Sequence, residues 1–380
     1  MSAALEAATE HQGRARVALR AALAAGPSHA YLFRGPRGSG KRAAARALAA
    51  EILAGAAENP EDARRRALLD PSPHPDLVWI APRGAQHMVE DVRERVIRAA
   101  AYRPFEGGKR VFVIEAAEAL RDESQNALLK TLEEPPPYAH IILLTSEPEV
   151  LLETIASRCA PVEFAPYPAA VLEAELAAEG AGAAAEELAA AARLAAGDRE
   201  RARLLLSPLG RELRAEADAC VAAARAGELA GAPWKALLDR ATAAGEEAEA
   251  ATREALEEET KAGVRRSARE LADEAKRAGR RRRTEILDLG LELCAAHLRD
   301  LAALAVGAEE VAFARDRLDQ LRAEAAGLDA AAARRGAAAA QETRRSLDLN
   351  VSEELALEAL FFRLARTVSD GAMRRPRSSE

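Results

Sequence analysis

The sequence predicts an α/β domain, with a parallel sheet covered by helices on both faces, followed by a purely helical remainder. Three observations predict it. Short β-branched or aromatic runs alternate with helix-forming stretches up to about residue 168. An apolar run, a glycine loop and an alanine-rich helical run follow one another from Ala30 to Leu53. After Pro168 no further strand pattern is found, while leucines recur at three- and four-residue steps. Composition agrees: 96 of the 380 residues are alanine, which favours helices but buries little area, and nine of the 13 aromatic side chains precede Pro168.

Taken in order, Leu5, Val17, Leu19 and Leu23 lie at helical spacing until Gly26-Pro27 stops the pattern. Ala30 to Phe33 is a strand, Gly35 to Lys41 a loop, and Arg42 to Leu53 a helix. Asn59 to Pro75 reads as a polar, proline-rich loop with one helical turn near Ala63 to Leu69. Leu77 to Ile80, Arg110 to Ile114 and His140 to Leu144 complete the set of four strands. Between 169 and about 228 the leucine pattern breaks at Gly180, Gly197 and Pro208, which predicts three or four short helices. Leucine patterns at 286–304 and 318–364 predict a bundle. Ala330 to Ala340 suits either helix or connector, and 371–380 reads as a frayed tail.

Several functional classes are excluded. No window approaches twenty uninterrupted apolar residues, and the first residues lack the basic and apolar segments of a secretory signal, so a cytoplasmic protein without a membrane partner is expected. Three scattered cysteines, Cys159, Cys220 and Cys294, make neither a disulfide scaffold nor a four-cysteine zinc site. A net charge of −7 argues against coating nucleic acid by bulk electrostatics.

Gly35-Pro36-Arg37-Gly38-Ser39-Gly40-Lys41 has the spacing of a phosphate-binding loop, because glycines let successive backbone N–H groups converge on an anion at a helix start. Lys41 supplies a point charge. The next position calls for a Ser or Thr hydroxyl on Mg²⁺, but Arg42 has no lone pair to offer a metal. After the strand ending at Ile114, a hydrolase of this kind needs two adjacent carboxylates. The sequence has Glu115-Ala116, and an alanine cannot polarise water. No intrinsic ATPase is expected. The residues leave open whether nucleotide is still held, whether Glu115 touches a metal through water, and whether the glycine turn merely joins strand to helix.

His29 to Phe33, the run Asn126-Ala127-Leu128-Leu129-Lys130-Thr131-Leu132-Glu133-Glu134-Pro135-Pro136, and Thr154 to Cys159 with its Ser157-Arg158-Cys159 triplet give the chain a resemblance to bacterial clamp-loader subunits, most of all the delta prime kind. The resemblance extends over residues 11–166, is weaker to about 228, and is faint beyond. It implies an AAA+ P-loop domain (1–166), a helical lid (167–228) and an all-α collar that holds a ring together (229–370). It implies a hetero-pentamer with gamma/tau and delta subunits that loads a sliding clamp onto primed DNA, as part of a DNA-directed DNA polymerase assembly. No cofactor is required on this reading, with ATP or ADP bound passively at most. Arg158 is then the arginine presented across an interface to a neighbour's ATP, within an interface motif formed with Ser157 and Cys159. Thr145 or Ser146 would sit at a γ-phosphate sensor position and Arg201 at a nucleotide-sensing lid position. Many relatives carry a four-cysteine zinc module after the first helix; Glu51 to Leu77 has no cysteine, so no zinc is expected.

The basic stretch from Lys261 to Arg283, with ten Lys/Arg against three Asp/Glu, reads either as a phosphate-contacting surface or as the solvated face of a charged helix. It contains no aromatic side chain for base stacking. The enzyme-class alternative to a non-hydrolysing subunit is a gamma/tau-like ATPase or another AAA+ motor, and a third possibility is an AAA+ adaptor outside replication.

Overall fold

The computed structural model describes residues 2–82, 86–180, 182–261, 267–347 and 351–372. Two compact units are present: one comprises residues up to Val171 together with Gly197–Arg199, the other Leu172–Ala196 and the residues from Glu200 onward.

The first unit opens with α1 (Ala3–Ala8) and α2 (Gly13–Ala25) where the sequence suggested one helical pattern. Then come β1 (Ala30–Arg34), α3 (Lys41–Ala54), α4 (Pro60–Leu68) and β2 (Leu77–Ile80). The helix α4 is longer than the single expected turn: Asn59 caps it by accepting from the Asp62 N–H, Pro60 starts it, and Glu61 and Asp62 favour its positive end. After α5 (Val89–Val92), which runs on as a π-helical turn over Arg93–Arg98, follow β3 (Arg110–Ile114), α6 (Asp122–Glu133), β4 (Ala139–Thr145), α7 (Glu153–Ala156) and β5 (Ala160–Glu163).

The five strands are all parallel, in the order β2-β3-β4-β1-β5. The fifth strand was not expected because Pro161 interrupts its pattern. Lying at the edge and pairing only with β1, it tolerates a residue that cannot donate to a second neighbour. Side chains alternate between two cores: Tyr31 and Phe33 pack with Leu48 and Leu53 of α3, while Leu32, Phe112 and Leu143 pack with Leu128 of α6 and Ile155 of α7. The sheet is thus covered on both faces, and because it is parallel, the C-terminal ends of β1, β3 and β4 share one edge.

The remaining helices are α8 (Ala169–Ala178), α9 (Ala185–Leu194), α10 (Arg199–Leu206), α11 (Pro208–Ala226), α12 (Lys235–Lys261), α13 (Ala268–Ala305), α14 (Leu318–Ala325), α15 (Ala330–Leu347) and α16 (Glu353–Ala372). The alanine-rich stretch is helix α15, not a connector. The expected tail beyond Ala372 lies outside the described residues, as do Arg265 and Arg266 of the basic stretch. Helices α12 and α13 approach to backbone contact through a glycine pair. A β-carbon on Gly245 would stand 2.9 Å from the Gly279 carbonyl oxygen, and one on Gly279 2.8 Å from that of Gly245.

Where aliphatic bulk is scarce, the second unit buries charge in networks. His297 is enclosed between Asp218 (Nδ1 to Oδ1, 2.8 Å) and Glu324 (Nε2 to Oε2, 2.9 Å), with Arg317 on Asp218 and Arg225 on Glu324. Asp300 accepts the N–H groups of Phe313 and Ala314 at 2.8 and 2.9 Å and so shapes the turn before α14.

Candidate functional site

The glycine loop lies at the shared strand edge, with the Gly35 N–H donating to the Thr145 carbonyl (3.3 Å). Its conformation needs glycine. Gly35 has φ +152° and an added β-carbon would fall 2.2 Å from the Phe164 carbonyl oxygen; Gly40 has φ +86° with the Tyr167 hydroxyl 2.5 Å from such a carbon. Gln12, unremarked in the sequence, clamps the loop from behind. Its Nε2 donates to Ser39 O (3.0 Å) and Ala165 O (2.8 Å), and its Oε1 accepts from Ala165 N (2.9 Å).

Lys41 is buried and its ammonium donates to the Gly35 and Pro36 carbonyls of its own loop. Burial pushes its pKa down to about 8, against the attraction of Glu118. The Ser39 hydroxyl is buried without a partner among the described residues. Gly38 packs against Asp198, whose carboxylate would collide with any β-carbon there.

Arg42 and Glu115, 73 positions apart in sequence, meet. Arg42 Nε lies 2.8 Å from Glu115 Oε1 and its Nη2 lies 2.9 Å from Asp70 Oδ2. One helical turn on, Arg46 pairs with the other oxygen of Asp70 at 2.8 Å and lies 4.4 Å over the Trp79 ring, whose Nε1 donates to Glu115. The Arg42 and Arg46 spacing of four was a signal in the sequence, since it puts both cations on one face of α3. These residues do not fit a divalent ion. A guanidinium without lone pairs stands where an oxygen ligand is needed, Glu115 is already bound to it, and Glu118, three residues on, accepts from the Ser146 hydroxyl. Ala116, where the motif calls for a second carboxylate, follows in the left-handed region (φ +46°).

The Thr145 hydroxyl is buried and accepts the Glu147 N–H (3.1 Å), while the Ser146 hydroxyl donates to Glu118 (2.7 Å). Arg201 is held by Glu292 and, at 3.6 Å, Asp288 within the second unit. In the basic stretch, Lys276 and Arg280 are exposed, whereas Arg282 pairs with Glu285 at 3.6 Å and Arg283 with Glu353.

The triplet Ser157-Arg158-Cys159 follows α7. Cys159 is buried in the core beneath, with its thiol pushed up to about 12 by burial, so it anchors the segment and is no nucleophile. Arg158 lies on the surface. Its Nη1 donates to Thr154 O (2.8 Å) and its Nη2 pairs with Glu133 Oε1 (2.6 Å).

Residues 12–168 match the protein family described as DNA polymerase III, delta subunit. Over 151 residues the chain is 34% identical to the DNA polymerase III subunit delta' of Bacillus subtilis, covering 38% of this chain and 45% of that one. Its likeness to the subunit of that name in Pseudomonas aeruginosa is 37% over 156 residues, 39% and 46% of the two chains. The gamma/tau subunit of Mycobacterium bovis DNA polymerase III is 38% identical over 164 residues, covering 42% and 28%. The chain thus spans less than half the length of these curated relatives. Among solved structures, a DNA polymerase III gamma subunit-related protein of Thermotoga maritima aligns over 93% of this chain and 99% of that one, with 15% identity and a TM-score of 0.42. Residues 12–168 are therefore similar to the DNA polymerase III delta subunit family, and the resemblance to delta prime clamp-loader subunits stands on both its motifs and its relatives.

Proposed function

We propose that this chain is a non-hydrolysing subunit of a bacterial clamp loader, working in the cytoplasm with gamma/tau-type and delta subunits in a five-membered ring. The ring would place a sliding clamp on primed DNA. Residues 167–228 would be its lid and 229–370 its collar. One observation carries the non-hydrolysing reading: the 2.8 Å pair between Arg42 and Glu115. The cation replaces a metal ligand, and the same contact occupies the Glu115 carboxylate.

Arg158 supplies the activity that the chain's own loop lacks. A guanidinium donates fixed, permanently charged hydrogen bonds to phosphate oxygens, and such a group presented in trans contributes about 10³- to 10⁵-fold to kcat at the site it serves. In support, Arg158 is surface-placed on a segment anchored by a buried neighbour. ATP or ADP in the chain's own loop is at most a passive passenger on this reading, and zinc has no ligand set in 51–77. The likeness to gamma/tau subunits favours a second reading, a hydrolytic subunit, against which Arg42 and Ala116 both stand.

The deciding experiment is reconstitution with the partner subunits, comparing DNA-stimulated ATP hydrolysis for wild type, Lys41→Ala and Arg158→Ala. Loss only with Arg158→Ala is expected. Turnover by the isolated chain that needs Mg²⁺ and vanishes with Lys41→Ala would establish the hydrolytic reading instead.

A further inference from the structure

We infer that Glu133 is a positioning residue for Arg158, an inference that rests on the trans-arginine reading above. Glu133 is the last residue of α6, and Glu134 follows it. A carboxylate at a helix C-terminus faces the negative end of the helix dipole, so this placement is locally unfavourable and calls for a compensating cation. Lys130 lies in the same last turn, and Arg158 supplies a cation in direct contact, with Nη2 at 2.6 Å from Glu133 Oε1.

The rest of the geometry makes the pair a holder and not a trap. Leu128 and Leu132 of α6 and Ile155 and Cys159 flanking the arginine are buried in one core, so the two backbones that carry Glu133 and Arg158 are fixed relative to each other. Two of the five N–H groups of the guanidinium are engaged, one by Thr154 O and one by Glu133. Three remain to donate to an incoming phosphate without breaking either contact. Both partners are substantially exposed, with side chains at 36% and 49% of full accessibility, and an ion pair of that kind is weak in stability terms. Its effect is on direction: it selects one orientation of a four-torsion side chain before the neighbour's nucleotide arrives.

The test uses the reconstituted loader with wild type, Glu133→Ala, Glu133→Gln, Arg158→Ala and the Glu133→Ala/Arg158→Ala double variant. Glu133→Ala is expected to lower kcat for DNA-stimulated hydrolysis about two- to fivefold, with KM for ATP changed less than about twofold. Glutamine keeps an acceptor for Nη2 and is expected to restore most of the rate. The double variant is expected to match Arg158→Ala alone, because Glu133 acts only through the arginine. Wild-type kcat in Glu133→Ala, or a further loss in the double variant, would overturn this inference while leaving the role of Arg158 intact. A silent Arg158→Ala would overturn both, and thermal melting of Glu133→Gln and Glu133→Ala within a few degrees of wild type excludes loss of folding as the cause.

Discussion

Raising the pH above neutrality should loosen the helical unit through one residue, His297. Both its ring nitrogens face carboxylate oxygens, Asp218 at 2.8 Å and Glu324 at 2.9 Å. Carboxylates only accept, so both nitrogens must donate, and the buried ring is an imidazolium. Burial by itself pulls its pKa down, but the hydrogen bonds to Asp218 and Glu324 win and raise it from 6.5 to about 9. A group whose native pKa is raised contributes stability that is complete below the unfolded value and disappears as pH rises through the native one. The window therefore runs from about pH 6.5 to above pH 9. At about 1.36 kcal/mol per pH unit, the contribution is on the order of 3 kcal/mol. Urea denaturation of the full chain can read it through Trp234, buried in the second unit and stacked on Phe361; a Trp79→Phe background removes the other indole. Lys41, depressed to about 8, acts with the opposite sign, since confining its charge costs stability that returns above pH 8. The quantity to follow is thus the difference between wild type and His297→Gln at each pH. It should shrink by roughly 3 kcal/mol from pH 6 to 10, and a difference that stays constant across that window would refute the charged, doubly bonded imidazole.

Two further outcomes are expected. Gly245→Ala inserts a methyl 2.9 Å from the Gly279 carbonyl oxygen and forces α12 from α13, so it should destabilise the second unit by about 1–3 kcal/mol in the same denaturation assay. Arg42→Ser frees Glu115 and restores an oxygen at the metal position, so a fluorescent ATP analogue should bind about tenfold more tightly with Mg²⁺ than with EDTA; hydrolysis should stay absent, because Ala116 still cannot orient water.

The elements with strong local signals were readable before any coordinates. Phe112, Val113 and Ile114, or Ile141 to Leu144, are continuous apolar runs too short for helices, as befits strands buried on both faces. The strand Ala160–Glu163 was not, because Pro161 argues locally against a strand and only the edge position, a tertiary fact, makes it acceptable. Helix α4 is longer than expected for a different reason: the prolines and polar residues around it read as a loop, while its own Ala63–Leu68 stretch is made of good helix formers behind an Asn59 cap. The second unit could be read as helices but not as a packing scheme. Its specificity comes from pairs far apart in sequence, such as His297 with Asp218 and Gly245 with Gly279, that no local periodicity encodes.

The same limit governs the candidate site at the glycine loop, with a larger consequence. Read along the chain, Arg42 and Ala116 are separate departures from two motifs, and Glu115 is open between a water-mediated metal contact and a solvated carboxylate. In space Arg42 and Glu115 are one object, reinforced by Asp70, Arg46 and Trp79, none of which belongs to either motif. Without Arg42, Glu115 would be a half-buried negative charge with no cation beside it, costly to retain. A guanidinium left alone at the head of α3 would face the positive end of the helix dipole. Each offsets part of the other's penalty, and Asp70 and Trp79 share in it, so the pair is one node of a wider network. The Arg42–Glu115 pair is thereby held in place by contacts local to the site.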